Sequence, residues 1–261
     1  MSRIAEVFQR IRAEGRGGLI TYVTAGDPTL QRSGEILRAL DRAGADLLEV
    51  GVPFSDPLAD GPVIQRASER ALAAGTTLDG VLRMVAGVRP SISAPIVLFS
   101  YANPIHRMGF AAFAARAADA GVDGVLTLDL PVEESDPLRR VLAAAGLDVI
   151  FLLSPTTTLD RMRRAGELGT GFLYAISRMG VTGARDSIAT GVSALVQRIR
   201  SVSDLPVAVG FGLSRPEHVR AVGAVADAAV VGSALVSVIA EAGDTPELVP
   251  RVEEYVRWLR G

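Results

Sequence analysis

The chain contains neither lysine nor cysteine: all 27 basic residues among its 261 positions are arginines. Each absence excludes a class of chemistry. Without a lysine amine, no Schiff base can form with a carbonyl substrate or a pyridoxal cofactor, and no P-loop lysine can reach a nucleotide phosphate. Without a thiol there is no thiolate nucleophile and no disulfide framework. Histidine is scarce; His106 and His218 lie far apart, which argues against a histidine-rich metal site, and both read as structural or surface residues. Acid–base work must fall to carboxylates, tyrosines or the two histidines. There is no excess of positive charge either: the formal net charge is −2 with no run of like charges, so nucleic acid and anionic membranes are not expected partners. No apolar run reaches the roughly 18 residues of a membrane span. The N-terminus, with Glu6 and Glu14 among Arg3, Arg10 and Arg12, lacks a signal peptide's apolar region, and the chain reads as cytoplasmic.

What is present is a regular alternation. Eight β-rich runs, at 19–23, 46–50, 95–99, 122–128, 147–152, 171–176, 206–210 and 227–231, are separated by helical patterns. The helices are predicted at 31–43, 62–74, 77–88, 110–120, 133–145, 158–168, 190–202, 214–223 and 247–260, with one more at 2–13 ahead of the first strand and a short one at 233–240 after the last. Eight βα units with Gly or Pro at the joints (Gly44, Gly121, Gly146, Pro206) predict a single α/β domain over 1–261, a (β/α)8 TIM barrel, rather than an open doubly wound sheet of fewer strands. In such a barrel the site lies at the C-terminal ends of the strands. Two βα joints are long, Gly51 to Gly61 after strand 2 and Ser177 to Ala189 after strand 6, and should cover it.

Glu49 sits one residue from the end of strand 2, sharing a face with Leu47 by alternation. If that face points inward, the carboxylate loses solvation, its pKa rises, and it becomes a general acid or base. Turned to the helix layer, it would only pair with an arginine. Asp60 ends the proline-dense loop 52–62 and is either a helix N-cap or a carboxylate held by a restricted backbone. Asp56, nearer mid-loop, should face solvent or a partner. Glycines close the last two strands, Gly210 and Gly212 after strand 7 and Gly232 before Ser233 after strand 8. These loops and the helix start at 233 can bind a phosphate dianion through backbone N–H groups, needing no lysine. Tyr22, Phe99, Leu126, Tyr174 and Phe211, near strand ends, are candidates to line an aromatic substrate's pocket. The segment 177–186, with two glycines, suits a lid.

The run Leu-Leu-Glu-Val-Gly-Val-Pro-Phe-Ser-Asp-Pro-Leu-Ala-Asp-Gly-Pro-Val-Ile-Gln (47–65) resembles the signature of the tryptophan synthase alpha chain family. Val-Thr-Ala-Gly-Asp-Pro (23–28), Tyr-Ala-Asn-Pro (101–104), Asp-Leu-Pro-Val-Glu-Glu (129–134), Gly-Val-Thr-Gly-Ala-Arg (180–185) and Val-Gly-Phe-Gly (209–212) extend the likeness over nearly the whole chain. The resemblance implies a barrel lyase that cleaves indole-3-glycerol phosphate to indole and D-glyceraldehyde 3-phosphate. It implies a beta chain as partner in an alpha2beta2 heterotetramer, with pyridoxal phosphate in the beta chain and no cofactor in this one. Residue by residue it implies that Glu49 and Asp60 are the catalytic carboxylates and that Gly183, Gly212, Gly232 and Ser233 hold the phosphate. Thr182 would be the lid residue engaging Asp60, and Pro53, Asp56 and Asn103 would face the beta chain.

The residue inventory agrees with that chemistry. Carbon–carbon cleavage needs an electron sink, and a lysine imine is excluded here. Indole protonated at C3 is its own sink, so carboxylates suffice: Glu49 shuttling the protons, Asp60 facing the indole N–H. Other readings remain, namely a stand-alone indole-3-glycerol phosphate lyase, a different phosphate-binding barrel enzyme, and a non-catalytic activator of a beta chain. The second leaves 47–65 unexplained, and the third does not require both carboxylates.

Overall fold

A computed structural model describes residues 1–176, 185–210 and 212–261, with 185–190 described by their backbone only. Its eight strands are β1 (Gly18–Thr24), β2 (Leu47–Gly51), β3 (Ile96–Ser100), β4 (Gly124–Thr127), β5 (Asp148–Leu153), β6 (Leu173–Ile176), β7 (Val207–Gly210) and β8 (Ala228–Val231). They pair in parallel in chain order and close, β8 against β1, into a barrel. Around it run α1 (Arg3–Ala13), α2 (Leu30–Arg42), α3 (Pro62–Ala73), α4 (Leu78–Val88), α5 (Ala102–Met108), α6 (Phe110–Asp119), α7 (Asp136–Ala144), α8 (Leu159–Leu168), α9 (Arg185–Arg200), α10 (Pro216–Gly223), α11 (Ser233–Ala242) and α12 (Leu248–Arg260). Every strand expected from the sequence is present, displaced by at most two residues at either end. Among the described residues no single helix is long and apolar enough to cross a membrane.

Three helical expectations needed correction. The helix α5 was not expected: no element was assigned between the third strand and the helix at 110–120. Proline is tolerated there because it falls in the first turn, where its missing N–H would have no partner. The helix α9 starts at Arg185 rather than 190, so the joint after β6 is shorter than expected; its polar first turn lacks the apolar period that marks a helix. The segment expected as one helix at 133–145 is a 3-10 turn, Val132–Glu134, followed by α7.

Strand alternation divides the core in two. Leu19, Leu48, Ile96, Leu98, Val125, Leu173 and Val209 point outward into the shell beneath the helices. Ile20, Leu47, Val97, Leu126, Ile150, Phe172, Ala208 and Val230 fill the barrel. The N-terminal mouth is plugged by α1, whose Ile4 and Phe8 join the inner cluster, with the Phe8 ring 5.6 Å from that of Phe172. Small residues at the strand starts make room for the plug: a Cβ at Gly18 would lie 2.7 Å from Ile11 Cδ1, and one at Gly124 3.0 Å from Ile4 Cδ1.

The same face carries a repeated polar device. Asp46, Asp123 and Asp227, each preceding a strand, accept the N–H of Leu19, Ile96 and Val207 on the neighbouring strand, at 2.9, 2.8 and 2.9 Å. Arginines neutralise each carboxylate. Asp46 accepts from Arg16 at 2.7 and 2.8 Å and from Arg260 at 2.9 Å, with Arg10 at 3.7 Å. Arg260 belongs to α12, so this cluster ties the C-terminal helix to the barrel floor.

Asp46→Asn keeps the shape and removes the charge. It should destabilise the fold by about 1–3 kcal/mol, the range for hydrogen bonds to a charged group, since the guanidinium groups remain partly hydrated. Burial raises the Asp46 pKa, but the bonds from Arg16 and the Leu19 N–H, with the pull of Arg260, outweigh it and hold the carboxylate below its ordinary value. Its contribution is therefore complete above the ordinary carboxylate range and lost as pH falls through the lowered pKa. Thermal melts of both proteins should differ at neutral pH and converge in acid; a gap that persists unchanged in acid would rule out the charge as its origin.

Candidate active site

Alternation decides the face of Glu49. Leu47 lies inside the barrel and Leu48 and Val50 outside, so Glu49 points inward, in register with Tyr22 of β1 and Val97 of β3. The reading in which it turns to the helix layer and pairs with an arginine does not hold. It is 0% exposed, and neither carboxylate oxygen has a hydrogen-bond partner among the described residues. Burial alone pushes its pKa from 4.5 up to about 8.

Around it stand aromatic side chains. Tyr22 and Phe99 meet edge to face with ring centroids 5.1 Å apart, and Phe99 and Tyr174 lie 6.5 Å apart. Both tyrosine hydroxyls are pushed above their ordinary pKa, Tyr22 by burial and then by the charges of Asp60 and Glu49, Tyr174 by burial and then by Glu49. Tyr22 thus lies within the electrostatic reach of both carboxylates, which brings the two to one mouth. Two glycines accommodate these hydroxyls. A Cβ at Gly51 would stand 2.1 Å from Tyr22 Oη, and one at Gly210 2.3 Å from Tyr174 Oη. Leu126, fully buried, belongs to the inner cluster against which Phe99 and Tyr174 pack. Leu128 and Leu152, partly buried against that cluster, were missed by sequence reading, although counting two on from Leu126 and Ile150 would have found them.

Asp60 is not an N-cap. Gly61 holds that position of α3 without a side-chain cap, and Asp60 Oδ2 instead accepts a hydrogen bond from the Tyr101 hydroxyl at 3.1 Å. Burial raises its pKa and the Tyr101 bond lowers it, leaving it near 6. In the same loop Asp56 is exposed, as is Asn103 on α5, while Pro53, expected at a partner-facing surface, is buried.

Across the mouth, the helix α11 begins at Ser233 with Gly232 as a cap residue that makes no side-chain bond. Its first backbone hydrogen bond is from Val236 to the Gly232 carbonyl at 3.0 Å, so the N–H groups of Ser233, Ala234 and Leu235 have no helical partner and suit an anion. Gly212, with φ of 65°, is exposed two residues past the end of β7. Thr182, Gly183 and Phe211 lie outside the described residues. No group of three or more metal-ligating side chains occurs among the described residues. His106 is exposed on α5, its ring 5.6 Å from that of Phe110, and His218 Nδ1 accepts from the Ser214 N–H at 3.3 Å.

Residues 8–259 match the family model for the tryptophan synthase alpha chain. The chain is 46% identical over 260 residues to the tryptophan synthase alpha chain of Solibacter usitatus, covering 100% of this chain and 97% of that one. It is 50% identical over 262 residues to that of Burkholderia thailandensis, covering 100% and 96%. The crystal structure of tryptophan synthase subunit alpha from Legionella pneumophila superposes with a TM-score of 0.91 at 38% identity, over 100% of this chain and 97% of that one.

The buried carboxylate has a thermodynamic signature. Between pH 4.5 and about 8 the folded chain keeps a proton on Glu49 that the unfolded chain has released, so stability complete below 4.5 is lost as pH rises toward 8. Glu49→Gln cannot ionise. Its melting temperature relative to the parent should climb across that window and level off above it. Parallel curves of melting temperature against pH would show that Glu49 is not desolvated.

Proposed function

This chain belongs to the tryptophan synthase alpha chain family, lyases of L-tryptophan biosynthesis that split indole-3-glycerol phosphate, and from that premise we propose how its residues carry the reaction. The observation that supports the assignment best is the contrast between two carboxylates at one mouth. Glu49 is held protonated by burial with a pKa of about 8, and Asp60 is held near 6. At neutral pH one is an acid and the other an anion, the division of labour that acid–base cleavage requires.

Glu49 donates its proton to indole C3, turning the ring into an indolenine whose positive charge develops at nitrogen. The Asp60 carboxylate faces that N–H and stabilises the charge. Glu49, now ionised, takes the proton of the adjacent glycerol hydroxyl. The C–O becomes a carbonyl, the carbon–carbon bond breaks, and its electrons restore the indole. Indole and D-glyceraldehyde 3-phosphate leave, and Glu49 ends protonated, as it began. Tyr22, Phe99 and Tyr174, above Leu126, would enclose the indole ring, together with Phe211. The phosphate would rest on the backbone N–H groups at Gly232 and Ser233, with Gly212 and Gly183 alongside, and Thr182 would close on Asp60.

The family's alpha chains work with a beta chain. We place that partner on the exposed Asp56 and Asn103, in an alpha2beta2 assembly. Pyridoxal phosphate belongs to the beta chain; this chain has no lysine to anchor it and takes part through acid–base groups alone. The setting is cytoplasmic.

Two experiments test the assignment. Glu49→Gln and Asp60→Asn should each lower indole release by ~10²–10⁴-fold while glycerol phosphate still binds. The parent's kcat/KM should trace a bell with limbs near the two pKa values, about 6 and about 8. Near-normal turnover in Glu49→Gln would overturn the mechanism. Separately, Ser233→Asp sets a negative charge beside the dianion and should raise KM with little change in kcat; an unchanged KM would place the phosphate elsewhere.

A further inference from the structure

The loop from Pro53 to Asp60 must hold a carboxylate against a substrate, yet it has few anchors. Within the loop, Leu58 N–H bonds to the Asp56 carbonyl, Asp60 N–H to the Pro57 carbonyl, and Ser55 Oγ to Asp56. From α3, Gln65 Nε2 donates to the Pro57 and Asp60 carbonyls at 3.3 and 2.9 Å. Among the described residues, the only hydrogen bonds from 53–60 to any residue beyond the loop and α3 run to the Tyr101 hydroxyl. That hydroxyl accepts from the Ala59 N–H at 2.9 Å and donates to Asp60 Oδ2 at 3.1 Å.

Tyr101 is itself well fixed. It is 4% exposed, and its ring lies 5.1 Å from that of Phe54. It directly follows β3; Ser100 Oγ donates to its carbonyl at 2.9 Å, and the next N–H, of Ala102, donates to Asp129 Oδ1 at 2.7 Å. A rigid strand end thus reaches over the mouth and grips the catalytic loop at two consecutive residues. The hydroxyl has a single proton; the Ala59 N–H donates to its oxygen, and its own proton goes to Asp60 Oδ2. An O–H donor favours the ionised carboxylate, the form the reaction needs.

We propose that Tyr101 is a positioning residue for the cleavage: its hydroxyl clamps the loop between β2 and α3 and keeps Asp60 ionised and aimed at the indole N–H. The proposal rests on the role given to Asp60 above. Tyr101→Phe retains the ring against Phe54 and removes both bonds. It should lower kcat roughly 10- to 100-fold, the worth of one hydrogen bond to a charged group. It should move the acid limb of the kcat/KM profile to higher pH, because burial of Asp60 is then unopposed, and leave glycerol phosphate affinity unchanged. A fluorinated tyrosine at 101, a stronger donor of the same shape, should move that limb the opposite way, and it keeps the test available if the phenylalanine variant folds poorly.

A double-mutant cycle identifies the route. In an Asp60→Asn background, Tyr101→Phe should have little further effect on turnover. An acid limb that stays in place in both variants, or an equal loss with and without Asp60, would overturn the proposal. Full activity in Asp60→Asn alone would instead overturn the assignment of Asp60 on which it stands.

Discussion

Everything at this site depends on closure of the parallel sheet. In a closed barrel each strand has one face toward a filled, water-poor interior and one toward the helices, and alternate residues have no other choice. Glu49 shares its face with Leu47, so the register that buries Leu47 in the barrel also buries Glu49. A buried carboxylate with no hydrogen-bond partner among the described residues is costly when ionised. The cost is met by keeping the proton, and a retained proton is what makes the residue an acid at neutral pH.

The three floor aspartates and the two carboxylates of the proposed site are held in opposite ways. At the N-terminal face Asp46, Asp123 and Asp227 receive backbone N–H donors and arginines, and they join strands and helices to the floor. At the C-terminal face, among the described residues, no hydrogen bond reaches either Glu49 carboxylate oxygen, and Asp60 accepts one from the Tyr101 hydroxyl. At these three floor aspartates, which support the fold, charge is stabilised. It is left unsatisfied, or nearly so, where it has to react.

Asp60 differs from Glu49 in its support as well as its solvation. A strand residue inherits its position from the barrel, whereas a loop residue needs its own anchor. Here that anchor is on the neighbouring strand end, at Tyr101, and it sets both where the carboxylate points and how readily it ionises. Tyr22, touching the field of both carboxylates, fits only because Gly51 leaves space for its hydroxyl.

Composition and periodicity by themselves determined much of this protein. Eight alternating βα units are a local pattern, so the barrel, its strands and the short helix after the last one were legible from residue order, and the lack of lysine narrowed the chemistry before any fold was known. The motif 47–65 singled out Glu49 and Asp60. What the sequence left open were matters of long-range contact. Whether Glu49 faced the core or an arginine depended on which alternate face the closed sheet turned inward. Asp60 read equally well as a helix cap, because its true partner, Tyr101, is 41 positions away and is brought near only by the β2–β3 pairing. Pro53 read as surface and is buried, and α5, whose proline a first helical turn tolerates, was not assigned. Local preference is written residue by residue, but solvation and partnership belong to the packed barrel, and they decide which carboxylate keeps its proton.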